Sequence, residues 1–311
     1  MAIILVTGAS GFIGRSLVPN LLAKGHKVLA VVRNKDSSIP EGCAVACVGN
    51  IGTDTDWTPY LADVDCIVHL ASRAHVMDDS ENSRELFHSI NFLGTMTLAK
   101  QALEYNVRRF VYISSVGVMG NISNRPFTEI DDPVPVDEYA VSKLSSEKML
   151  KTLFNESKAE LVVIRPPLVY AVDAPGNIAR IQTLVGKGIP LPFASISNRR
   201  SVVSLANVVD FITACIQHPK AAGQVFFVSD GVDLSTPEII SRSFKLKGKK
   251  LCFFPFPVVI LRFFLGIIGR KKMASKLLDD FQISNEKARL MLNWNPKLDF
   301  GNECDFVRGT E

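Results

Sequence analysis

The sequence predicts an α/β protein, a doubly wound parallel sheet with a smaller, interleaved C-terminal lobe. Three observations carry that expectation. Short apolar runs at 3–6, 27–32, 66–70, 110–113 and 161–164 are rich in Val, Ile and Leu without polar alternation, as strands covered on both faces are. Helical stretches near 11–24, 84–105 and 138–157 lie between them, and β-α-β alternation makes neighbouring strands parallel. After Arg165-Pro166-Pro167 the rhythm breaks, because two prolines cannot continue a central strand.

The first strand runs directly into Thr7-Gly8-Ala9-Ser10-Gly11-Phe12-Ile13-Gly14, which opens a helix. Gly8 permits the tight turn, Gly11 lets the backbone approach a pyrophosphate, and Gly14 lets helix and strand pack closely. The helix N-terminus adds unpaired N–H donors and a favourable dipole. Gly8, Gly11, Phe12, Ile13 and Gly14 are therefore expected to hold a dinucleotide on a Rossmann-type sheet. Pro19 falls inside that helix, where an interior proline costs ~3 kcal/mol and should kink it. The second strand ends Val31-Val32-Arg33-Asn34, with Val32 where a carboxylate would accept hydrogen bonds from the ribose hydroxyls. That favours NADP(H) over NAD(H), with Arg33 on the 2′-phosphate. A solvated Arg33, with either cofactor bound, is the alternative.

The strand at 110–113 ends at Ser114-Ser115, the carboxyl end where open α/β sheets place ligands. The helix at 138–157 opens with Tyr139-Ala140-Val141-Ser142-Lys143, and positions i and i+4 share one face. A neighbouring ammonium favours phenolate, so Lys143 is expected to lower the Tyr139 pKa and fit it for proton transfer. His69, His75 and His88 have no metal-ligand spacing, and Asp131-Asp132 reads as a solvated turn.

Residues 168–204 are loop-rich, a helix at 206–217 and a strand at 224–228 are placed to return to the sheet, and shorter helices follow. The expected division is 1–167 with 205–229 for the dinucleotide, and 168–204 with 230–311 for the substrate. The stretch 251–269, LCFFPFPVVILRFFLGIIG, precedes Arg270-Lys271-Lys272. Pro255, Pro257 and Arg262 argue against a membrane-crossing helix and split the stretch into a strand-like LCFF and a helix at 258–269. That helix is expected to be buried or half-buried in the C-terminal lobe, with peripheral membrane contact as the alternative.

The 311 residues allow one large domain or two joined ones, and 47% hydrophobic residues exclude intrinsic disorder. A net charge of +4 does not point to nucleic acid. That surplus is concentrated: residues 239–276 hold ten Lys/Arg and no Asp/Glu, leaving an acidic body. The six cysteines form no C-x-x-C pair and no secretory leader is visible, so a reduced cytoplasmic protein with buried thiols is expected.

The combination of TGASGFIG, Ser114-Ser115 and YAVSK resembles the extended short-chain dehydrogenase/reductase family, in its NAD(P)-dependent nucleotide-sugar epimerase/dehydratase branch. Val68-His69-Leu70-Ala71, Asn91 in NFLGT, RPPLVY at 165–170 and Asn198-Arg199-Arg200-Ser201 extend it over nearly the whole chain. The resemblance implies Tyr139 as acid/base, Lys143 as its electrostatic partner and ribose anchor, and Ser115 on the substrate oxygen. It places Asn50 and Ile51 at the adenine, Leu70, Ala71 and Asn91 along the cofactor, and Pro166 by the nicotinamide. Asn177 and Arg200 would face a UDP-sugar, and a homodimer would form through the helices near 84–105 and 138–157.

Departures from the family pattern narrow the chemistry. Asn50 stands where Asp is usual, Met119 replaces a Tyr, and Ala171-Val172-Asp173 replaces Gly-Pro. Val116-Gly117 supplies no acid pair for eliminating water, which disfavours dehydration. Reduction of a UDP-4-keto-6-deoxy-sugar with dissociable NADPH is the leading expectation. A UDP-glucose or UDP-N-acetylglucosamine 4-epimerase retaining NAD, and a non-catalytic NAD(P) sensor, are the alternatives.

Overall fold

The computed structural model describes residues 1–35, 37–73, 81–171, 174, 190–245 and 252–297. Seven strands form one sheet: β1 (Ile3–Thr7), β2 (Lys27–Val32), β3 (Ala44–Cys47), β4 (Cys66–His69), β5 (Arg109–Ile113), β6 (Glu160–Arg165) and β9 (Gln224–Phe227). Their order is β3-β2-β1-β4-β5-β6-β9, and every pairing is parallel. The order reverses between β1 and β4, where a doubly wound sheet opens a crevice at its carboxyl edge.

Strand alternation divides the core between two helical layers. Ile4, Val6, Val68, Val111 and Ile164 face α1 (Gly14–Ala23) and α6 (Leu205–Gln217), meeting Leu17, Leu21, Phe211 and Ile212. Leu5, Ile67, Phe110, Tyr112 and Val163 face α4 (Gly94–Glu104) and α5 (Glu138–Asn155), meeting Leu98, Ala102, Leu150 and Phe154. Both faces are dry, which is why these strands lack polar alternation.

Several elements differ from expectation. The edge strand β3 is not among the apolar runs, because of its four residues only Ala46 is buried. The helical stretch near 84–105 is three pieces: α3 (Glu81–Phe87), a π-helical turn over His88–Leu93, and α4. A fourth short helix, α2 (Thr58–Leu61), precedes β4. Pro19 sits inside α1 on its exposed side.

The prolines at 166 and 167 end β6, and a second sheet begins. β7 (Leu168–Tyr170) pairs parallel with β8 (Arg200–Ser204), which pairs antiparallel with β10 (Asp233–Leu234). The chain then continues through α7 (Thr236–Lys245), α8 (Val258–Ile267), α9 (Lys271–Leu278) and α10 (Glu286–Leu292).

Of the two forms expected for the 258–269 helix, the structure has the half-buried one. α8 has no buried residue, and Val259, Phe263 and Ile267 are 80%, 65% and 65% exposed. Val258, Leu261 and Leu265 pack on Phe193, Ile196, Ala274 and Leu278. The helix is apolar all round, and the protein covers one side of it. The LCFF segment contributes one bridge, Leu191 to Phe253. The thiol expectation is likewise half right: Cys66 and Cys215 are buried, Cys43 and Cys47 are intermediate, and Cys252 is exposed. No described helix is long and apolar enough to cross a membrane.

Candidate active site

The crevice begins at the turn after β1. Gly8 has φ +67°, and a Cβ there would lie 2.9 Å from the Ala71 nitrogen. A Cβ on Gly14 would lie 2.3 Å from the Gly8 carbonyl oxygen, so the loop closes only with glycine at both positions. The Gly11 N–H donates to Gly8 O at 2.9 Å and completes the turn. Ile13 occupies the cap position of α1 and offers no side-chain acceptor; Arg15 and Ser16 donate to Gly11 O and Ile13 O at 3.0 and 3.1 Å, so the Gly14 amide ahead of them is the helix donor left for an anion. These residues fit a dinucleotide pyrophosphate. Phe12 reaches away from this turn to pack with Tyr170, Val202 and Leu234, tying the loop to the second sheet.

A directed chain of hydrogen bonds crosses beneath the crevice. The Ala71 N–H donates to Thr7 Oγ1 at 3.2 Å, leaving the Thr7 hydroxyl proton for His69 Nδ1 at 2.8 Å. His69 Nε2 then donates to Thr95 Oγ1 at 2.9 Å, and Thr95 donates to the Asn91 carbonyl at 2.6 Å. Every donor meets one acceptor only if His69 is neutral and protonated on Nε2. Burial pushes its pKa down to about 3, which holds it in that form. His69, the last residue of β4, is thus an orienting residue.

Asn91, within the π-helical turn, joins two sides of the crevice. Its Oδ1 accepts from the Arg73 N–H at 2.8 Å and from Ser72 Oγ at 3.2 Å. Its Nδ2 donates to Arg73 O at 3.1 Å and to Ser142 Oγ at 3.0 Å. Ser142 in turn donates to the Tyr139 carbonyl at 2.7 Å, so the segment after β4 fixes the start of α5. π-helical turns recur at functional sites because they re-aim one side chain within a helix.

α5 is capped by Asp137, whose carboxylate accepts the Ala140 N–H at 2.9 Å. Tyr139 follows, half-buried and edge-on to Phe87 with ring centroids 6.1 Å apart. Lys143 is buried; its Nζ donates to Ile113 O at 2.8 Å and lies 5.9 Å from the Tyr139 ring centroid. The expected lowering of the tyrosine is reversed. Burial pushes the Tyr139 phenol up to about 12, against the hydrogen bond with Ser72. Burial also brings Lys143 down to about 7, with Glu147 opposing. Desolvation outweighs the pairing the spacing implies. Behind Lys143, Glu147 and Arg165 form a buried two-point ion pair at 3.0 and 2.6 Å.

Ser115 caps a short 3-10 turn, Val116–Met119, its Oγ accepting the Gly117 N–H at 3.1 Å. Pro166 accepts the Val116 N–H at 3.1 Å. The space beside Gly117 is bounded by Ser115 Oγ and the Ala140 Cβ, so Ser115, Pro166 and the start of α5 meet at one point. Ser114 Oγ is buried with no partner. At the other end of the crevice Ile51 packs on the core near Leu98, Asn50 is exposed, and Arg33 is exposed at the end of β2 beside the buried Val32.

Arg200 lies on the second sheet, where Nη1 donates to Asp279 O at 2.9 Å and the guanidinium sits over Phe281. Burial lowers its pKa to about 10. Asn177 falls outside the described residues. Sequence reasoning did not single out Thr7, Ser72, Thr95, Ser142, Glu147 or Arg165 as parts of this arrangement. Thr7, Thr95, Ser142 and Arg165 stood inside the quoted motifs TGASGFIG, NFLGT, YAVSK and RPPLVY; Ser72 and Glu147 carry no local signal.

The family model described as NAD dependent epimerase/dehydratase family matches residues 4–228. A UDP-glucose 4-epimerase of Vibrio cholerae is 40% identical over 301 residues, 94% of this chain and 90% of that protein. The UDP-glucose 4-epimerase of Thermotoga maritima, solved with UDP-glucose, superposes with a TM-score of 0.78 at 20% identity, covering 99% of both chains. The Thermus thermophilus UDP-glucose 4-epimerase, solved with NAD, has a TM-score of 0.78 at 22% identity, covering 99% of this chain and 100% of that one. The two structures bear on the fold, a parallel sheet flanked by helices.

Proposed function

Because the chain belongs to the NAD dependent epimerase/dehydratase family, we propose that it inverts C4 of a UDP-linked hexose or N-acetylhexosamine. The observation that carries this reading is the 40% identity to a UDP-glucose 4-epimerase across 94% of the chain. Lys143 Nζ lying 5.9 Å from the Tyr139 ring centroid, with Ser115 beside the start of α5, supports it.

On this reading Gly8, Gly11, Phe12, Ile13 and Gly14 hold the pyrophosphate, Asn50 and Ile51 meet the adenine, and Leu70, Ala71 and Asn91 line the path between. Lys143 anchors the nicotinamide ribose and Pro166 flanks the nicotinamide. When bound, that ring supplies a hydride acceptor and donor. Tyr139 would accept the C4 hydroxyl proton and, once the 4-keto sugar has turned, would return it to the C4 oxygen as C4 regains hydride on its opposite face. Lys143 must be protonated for the phenolate to form, and Ser115 holds the C4 oxygen in line. Residues 1–167 with 205–229 carry the cofactor, and 168–204 with 230–311 carry the nucleotide sugar. Arg200 and Asn177 act on the diphosphate, a guanidinium matching phosphate oxygens in a bidentate fork. A homodimer through α3, α4 and α5, in the cytoplasm, completes the reading.

A second reading, single reduction of a UDP-4-keto-6-deoxy-sugar by NADPH, is favoured by one observation. Val32 is buried and Arg33 exposed at the end of β2, with no carboxylate for the ribose hydroxyls. Incubation with UDP-glucose and UDP-N-acetylglucosamine, with native mass spectrometry of the purified protein, separates the two. Co-purified NAD with C4 interconversion and no net cofactor use supports the epimerase. NADPH consumption by a 4-keto sugar, with no co-purified cofactor, replaces it with the reductase. Tyr139→Phe abolishes either activity. NAD(P) binding with no nucleotide-sugar binding leaves a sensor.

A further inference from the structure

The outer face of α8 is the largest feature the proposed chemistry leaves unused. Val259, Phe263 and Ile267 stand one turn apart along it, flanked by Ile260, Phe264 and Ile268, all at least 42% exposed. Phe254, 41% exposed, extends the patch. Solvated helices of globular proteins show one apolar stripe, whereas α8 is apolar on the covered side and the open side alike. Its ten residues span about 15 Å, half a bilayer core, so it cannot cross.

The charges around it select the occupant. Arg262 is neutralised by Asp279 and Lys276 pairs with Asp137, and Arg270 and Lys271 stand exposed at the carboxyl end of α8. Residues 239–276 contain no carboxylate. A second copy docking through this face about a two-fold axis would bring Arg270 and Lys271 onto themselves, with Asp279 and Asp137 already engaged by Arg262 and Lys276. A bilayer with anionic headgroups instead offers hydrocarbon for Phe263 and Ile267 and phosphates for the cations. We propose that α8 and the Arg270-Lys271 pair of cations seat this protein on the surface of an anionic membrane, with α8 lying in the interface plane.

The seat is joined to the candidate site. Asp279 holds Arg262 of α8 through its carboxylate and Arg200 through its carbonyl. The membrane-facing helix and the proposed diphosphate residue therefore share one anchor.

Co-sedimentation of the full chain with phosphatidylcholine vesicles, with and without a quarter phosphatidylglycerol, tests the proposal. Binding to the anionic vesicles, weakened by salt, is expected. Each cation near such a surface is worth about fivefold in affinity, so Arg270→Glu/Lys271→Glu should weaken binding about 25-fold or more. Phe263→Glu/Ile267→Glu should abolish binding with the melting temperature and NAD affinity unchanged, because both side chains already face water. Equal binding to neutral and anionic vesicles, or none, overturns the proposal. So does a parent that ignores vesicles but is an oligomer which Phe263→Glu/Ile267→Glu dissociates, since the face is then an interface between copies.

Discussion

The buried pair between Glu147 and Arg165 offers a quantitative test of how the crevice is supported. The two side chains are 1% and 4% exposed and bond at two points, 3.0 and 2.6 Å. The third guanidinium nitrogen meets Met119 Sδ, and the plane lies over Phe227, so no water stands ready to replace a lost partner. Glu147→Gln keeps shape and volume but strands a buried cation, which costs about 3–5 kcal/mol. At about 2 °C per kcal/mol for a chain of this size, the melting temperature should fall by about 6–10 °C. Adding Arg165→Met removes the stranded charge and should recover most of the loss, giving a coupling of about 2–3 kcal/mol in a double-mutant cycle. Calorimetry of the four proteins measures it. A single-mutant cost below about 1 kcal/mol, or simple additivity, would refute the view that these charges depend on each other.

Three further perturbations address the crevice itself. Free Lys143 would bind a proton below its ordinary 10.5 but folding delays this to about 7, so a ligand that favours the ammonium must take up a proton between those values. NAD binding should accordingly weaken as pH rises from 7 to 9, with proton uptake visible by calorimetry in buffers of different ionisation enthalpy; Lys143→Met should abolish both. Unfolded His69 binds a proton below about 6.5, the folded side chain only near 3, so stability should fall as pH falls through that window. His69→Phe should flatten that acid limb while costing about 2–4 kcal/mol at pH 8 for the two hydroxyls it orphans, read by denaturant titration. Gly14→Ala forces a Cβ to 2.3 Å from Gly8 O and should remove NAD binding, measured by fluorescence quenching, even where the fold survives.

What the sequence made legible is what local spacing encodes. The glycine turn needs three positions within seven residues, and the Tyr139–Lys143 pair needs only helical periodicity, so both are visible in the order of residues alone. The central strands announced themselves because both faces are covered. Other features depend on what lies across the chain. Nothing local says that Tyr139 is desolvated enough to override the cation four residues on, or that His69 threads Thr7 to Thr95. Apolar content in 258–269 predicted a helix but could not say which side is covered, since a helix apolar all round has no preferred face. β3 escaped because an edge strand with one buried residue in four leaves almost no hydrophobic signature.

The return of β9 to the sheet has a consequence for biosynthesis. β6 is complete at Arg165, yet the strand that closes its outer edge begins at Gln224, after the second sheet has been laid down. A nascent chain emerging from the ribosome must therefore carry an open, Val-rich strand edge through the synthesis of everything between. Such an edge is a template for pairing with another unfinished chain. Chains stopped before residue 224 should aggregate rather than fold, and the N-terminal half should not be recoverable as an independent unit. The interleaving that brings Phe12 against Val202 also makes the two halves of this protein inseparable in time.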